Sequence, residues 1–170
     1  MQLSTFLSYY AHDERIAAVV QSIQNSNNPL SICNIRGSAQ AVAMTALAMQ
    51  TSHTQLYIAD TKEEALSLHA DMQMLLPDKE IHLFLSAFKK PHVFDTTLSH
   101  NILSRTQVLD SLSRYPKGQI IFTYAEALLE KVVSESILKD NTLHLKVAAK
   151  VDTDFMFDIL LSYGFERVDF

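Results

Sequence analysis

The sequence predicts an α/β fold, a parallel-sheet domain with helices on both faces followed by the start of a small α+β domain. Three observations carry this. Short continuous apolar runs at residues 30–35, 56–59, 81–85 and 119–124 alternate with longer amphipathic patterns, which is how strands buried on both faces and joined by crossover helices are written. The 170 residues are 48% hydrophobic and 19% charged, enough apolar material for one real core with a small appendage. From Thr142 onward the pattern changes to strict alternation, the mark of a strand with one wet face.

Taken in order, Leu3, Phe6, Leu7 and Tyr10 share a helical face, and Asp13 is placed to cap a second helix carrying Ile16, Ala17, Val20 and Ile23. Asn25 to Pro29 ends it. Residues 30–35 read as the first strand, Arg36, Gly37 and Ser38 as a tight turn, and Val42, Ala46 and Met49 as one side of the helix that follows. After the strand at 56–59, Thr61 and Glu64 have capping-box spacing before a helix with Ala65, Leu68, Met72 and Leu75 inward, closed by Pro77. Residues 81–85 are the third strand, 86–99 an ordered surface loop, 101–115 a helix, and 119–124 the fourth strand after Pro116, Lys117 and Gly118. Leu143, Leu145 and Val147 then alternate with polar residues. Asp152 caps a helix through Phe155, Ile159 and Leu160, Gly164 stops it, and 165–170 form a last strand. The boundary between the two domains is expected near residue 125, giving 1–125 and an incomplete 126–170.

Fourteen Lys and Arg against nineteen Asp and Glu give a net charge of -5 and a pI near 5.7, which argues against stand-alone binding to a phosphate backbone. The N-terminus has no basic, apolar and small-residue succession of an export signal, and no run is long enough to span a membrane. Cys33, the single cysteine, lies in an apolar run and is expected as a buried, reduced thiol. A cytoplasmic protein is the expectation.

The turn after the first strand is where a parallel α/β sheet would hold a phosphate. Laid over a Walker A loop, the segment places Asn34 at the first glycine, Ala39 at the second, Gln40 at the lysine and Ala41 at the magnesium-binding hydroxyl. Gln40 brings no positive charge and Ala41 no ligand, so only Arg36, Gly37 and Ser38 keep loop character. The loop is degenerate, and neither a cofactor nor a metal is expected. A dinucleotide reading, with Asp60 on a ribose, lacks two of its three glycines. None of the seven histidines has the spacing of a helical metal pair, His69 and Asp71 read as solvated side chains on a helix, and Ser38 is not in a nucleophile elbow. Lys89 and Lys90, between Phe88 and Pro91, are a possible contact for phosphate or an acidic partner.

In this order and spacing, CNIRGSAQAVAMTALA, LYIADTKEEALSLHADMQMLLP, FLSAFKKP, SRTQVLDSL, IIFTYAEALLEKV and LSYGFERVDF resemble the N-terminal region of the bacterial transcription-repair coupling factors, the Mfd family. That region is similar to the damage-recognition protein UvrB, whose helicase-like domain keeps a working Walker A. The resemblance implies a degenerate helicase-like domain and the start of a UvrA-recruiting domain. The parent factors are ATP-driven DNA translocases that remove stalled RNA polymerase and bring in nucleotide excision repair. It further implies that motor, polymerase contacts and DNA contacts lie elsewhere in the parent, and that the UvrA-contacting positions follow residue 170. One departure is FLSAFKKP where the family has a second proline, so a backbone restraint is missing. The alternative is an unrelated α/β domain that binds a nucleotide or a small phosphorylated metabolite.

With only two strands and a helix of its sheet, the second domain is expected to self-associate through residues 140–170 or to fray there. Light scattering combined with hydrogen exchange checks this; a monomer strongly protected across 142–170 is the contrary outcome.

Overall fold

In a computed structural model, residues 3–26, 28–87, 97–142, 147, 150 and 152–166 are described. Among them the elements are α1 (Leu3–Ala11), α2 (Glu14–Asn25), α3 (Ala39–Gln50), β1 (Gln55–Ala59), α4 (Lys62–Leu75), β2 (Ile81–Leu83), α5 (Thr97–Arg114), β3 (Ile120–Tyr124), α6 (Ala125–Leu128), α7 (Glu135–Asp140) and α8 (Thr153–Ser162). Two compact units result, Met1–Glu135 and Ser136–Phe170. The fold is α/β, with a small parallel sheet and many helices.

β3 is the centre of the first unit. All five of its residues are buried, as expected of a continuous apolar run with neighbours on both edges. The sheet order is β1-β3-β2, all parallel, with Tyr57 and Leu83 both opposite Phe122. Successive β3 side chains point to opposite faces. Ile120 and Phe122 pack with Leu68 and Met72 of α4 and Ala41 and Ala48 of α3; Ile121 packs with Val108 of α5, Phe84 and Leu85. The connection through α4 steps across β3 to β2, and the one through α5 steps back over the other face. Reversing both direction and face keeps one hand, as parallel crossovers require.

Local chemistry sets the helix ends. Asp13 stands at the N-cap of α2 in extended backbone and accepts from the Arg15 amide at 2.8 Å. Its bond to the Arg15 guanidinium, also 2.8 Å, holds this carboxyl at about 2, well below the usual range. At α4 the expected capping box forms: Thr61 Oγ1 accepts from the Glu64 amide at 3.2 Å, and Glu64 Oε2 accepts from the Asp60 amide at 3.1 Å. Along α3 the buried residues are small (Ala41, Thr45, Ala46, Ala48), so α1 and α4 approach it closely. Gln50 Nε2 ties α3 back to α1 by donating to the Ala11 carbonyl at 2.8 Å.

The expected strand at 30–35 is not formed. Leu30, Ile32 and Ile35 are exposed, and Cys33 is an exposed thiol rather than a buried one, 3.6 Å from Ser31 Oγ. Asn34 has φ +67°, a left-handed turn of the backbone that a strand ladder cannot continue through. An apolar run interrupted by such a turn does not by itself secure a place in the sheet.

In the second unit, Asp152 caps α8 through the amides of Asp154 and Phe155, at 3.1 and 3.2 Å. Gly164, at φ +83°, ends it, with the Phe165 amide reaching back to the Leu160 carbonyl at 3.1 Å. Phe155, Phe157, Leu161 and Phe165 are exposed. The helix α7 has no counterpart in the sequence reading. The alternating strand falls mostly on residues outside the described ones, as does most of 165–170; Phe165 and Glu166 themselves are not in a strand.

Phe122→Ala should cost about 3–5 kcal/mol, the usual range for emptying a packed aromatic site. Ile32→Ala should stay within about 0.5 kcal/mol, as for a surface substitution. Urea unfolding of the two variants checks the pair; a core-sized loss at Ile32 would put residues 30–35 back into the sheet.

Candidate functional site

The turn that begins α3 is the candidate phosphate site, and each position can be read in turn. Asn34, Arg36, Gly37, Ser38 and Ala39 are exposed. Gly37, at φ +57°, uses the left-handed region, and an added Cβ there would meet nothing within 4 Å, so the requirement is conformational rather than steric. Its carbonyl accepts from the Gln40 amide at 3.0 Å, and the Ser38 carbonyl accepts from the Val42 amide at 3.2 Å. The chain thus winds directly into helix instead of opening a loop around an anion. Ser38 occupies the N-cap position with helical backbone and makes no side-chain cap. Nothing there activates its hydroxyl.

Gln40 and Ala41 settle the chemistry of the site. Ala41 is 1% exposed and packs in the core cluster with Phe122 and Met72. A hydroxyl at that position would face apolar side chains. Gln40 is half-buried and lines a groove of about 280 Å³ along β1, together with Met44, Leu56, Ile58, Asp60 and Glu64. Among the described residues no Lys or Arg lines this groove. Two carboxylates in its lining, Asp60 and Glu64, repel phosphate, while the amide of Gln40 can donate or accept a neutral hydrogen bond. Asp60 is exposed at the end of β1 and contributes its amide to the capping box.

Tyr57 forms the inner wall. Its ring stacks on Phe122 with centroids 5.0 Å apart, and its hydroxyl donates to Gln55 Oε1. Burial pushes its pKa up to about 12.

The remaining sequence candidates separate. Lys89 and Lys90 lie outside the described residues. His69 is more than a solvated side chain: Nε2 is 3.0 Å from the Ile81 carbonyl, and the ring meets Phe122 edge-on at 6.2 Å, so it ties α4 to the sheet. Among the described residues no group of three or more His, Cys, Asp or Glu could hold a metal ion, and no helix is long and apolar enough to cross a membrane.

Sequence reasoning missed a polar cluster on the opposite face. Arg105 of α5 is 6% exposed. Its Nη1 donates to the carbonyls of Leu85 and Ala127 at 2.9 and 3.1 Å. The guanidinium lies 4.0 Å from the Phe84 ring centroid and 3.4 Å from Glu130 Oε2. Glu130 in turn accepts from Ser86 Oγ and, at 2.9 Å, from the Ala87 amide. This cluster fixes the chain leaving β2 against α6. Nearby, His82 is buried between Gln119 Oε1 at 2.7 Å and Ser111 Oγ at 3.2 Å. A lone arginine or histidine in a helical or strand pattern carries no signal that it is buried; the partners come from residues far along the chain.

Compared with known proteins, the chain matches no family model and no curated protein.

Tyr57 generates a pH prediction. Its folded pKa lies above the unfolded value near 10, so its contribution is fully present below pH 10. It is lost as pH rises from about 10 to about 12, because only the unfolded state ionises there. With partial exposure the loss should be on the order of 1–2 kcal/mol. Urea unfolding at pH 9 and pH 11, on the protein and on Tyr57→Phe, checks it: the variant should lose less stability over that interval.

Proposed function

We propose that this chain is a non-catalytic interaction module, the N-terminal module of a transcription-repair coupling factor of the Mfd family. The observation that carries the non-catalytic part is the pair Gln40 and Ala41. One lines a groove that carries two carboxylates and, among the described residues, no cation, and the other is packed into the core. A loop so placed offers neither the charge nor the magnesium ligand that nucleotide hydrolysis needs. The family assignment is supported by the order and spacing of six sequence blocks. The helicase-like assignment draws on a turn of degenerate Walker A form in the sequence, leading into α3.

On this reading the module works in the cytoplasm, in a factor that removes stalled RNA polymerase at lesions and recruits UvrA for excision repair. Polymerase and DNA are engaged by other parts of the factor, and UvrA only weakly by residues 126–170. The net charge of -5 fits a module that does not itself hold duplex DNA.

Isothermal titration calorimetry with ATP and ADP in magnesium should show no saturable binding tighter than about 100 µM, or roughly -5.5 kcal/mol. Binding tighter than this would favour the nucleotide or phosphometabolite alternative. The double variant Gln40→Lys with Ala41→Thr should gain no ATP hydrolysis and should lose about 1–3 kcal/mol from overpacking at residue 41. A UvrA pull-down tests the family assignment: capture should rise strongly when the chain is extended through a complete second domain of the coupling-factor type. Equal capture by both lengths would count against it.

A further inference from the structure

We draw no further inference here: the strongest candidate, the buried side-chain cluster of Arg105 and Glu130 where the chain leaves β2, offers a ligand only the guanidinium Nη2, which lacks a hydrogen-bond partner among the described residues alone, and nothing in the structure shows what meets it.

Discussion

Phe122 stands at the middle of a strand with no exposed residue, stacked on Tyr57 from β1 and met edge-on by His69 from α4. The first unit depends on that arrangement. Because β3 is covered on both faces and paired on both edges, it requires α3 and α4 on one side and α5 on the other. The two crossovers then follow from the single hand that parallel connections adopt. Small residues along α3 allow this layer to close: larger side chains at Ala41, Ala46 and Ala48 would hold α1 and α4 away from it.

A second constraint comes from charge. Arg105 is buried on the α5 face, and a buried guanidinium is tolerated only when it is paired and hydrogen-bonded. Two main-chain carbonyls, an aromatic face and Glu130 meet that need at Nη1, while Nη2 has no hydrogen-bond partner among the described residues. In doing so they pin the segment after β2 to α6, so a polar cluster does the work of a further strand. Removing one partner would leave the other buried without compensation, which is why such clusters hold a chain path so specifically.

The same packing explains the chemistry of the turn before α3. A residue facing Phe122 and Met72 is part of the core, and alanine is what that position accommodates. The neighbouring Gln40 points along β1 into a groove whose polar end is acidic. Phosphate chemistry is lost there through burial of one position and through the charge around the other.

Some of this was legible in the residues themselves. Periodicity and capping residues located most helices, since Asp13, Thr61 with Glu64, and Asp152 act on amides two to four residues away and need nothing distant. Local composition likewise marked the three strands, the stop at Gly164 and the loss of a phosphate-binding lysine and hydroxyl. It misjudged residues 30–35, because a left-handed Asn34 leaves no trace in hydropathy. It also took Cys33 as buried and His69 as solvated, and it passed over Arg105, Glu130 and His82. Their surroundings are built from segments twenty to more than forty residues apart. The sequence by itself therefore determined most of the helices and their caps, consequences of short-range hydrogen bonding and side-chain identity. Only the tertiary structure decided strand order and which polar groups are buried. Those depend on which distant surfaces meet, and solvent exclusion acts on that meeting rather than on neighbours in the chain.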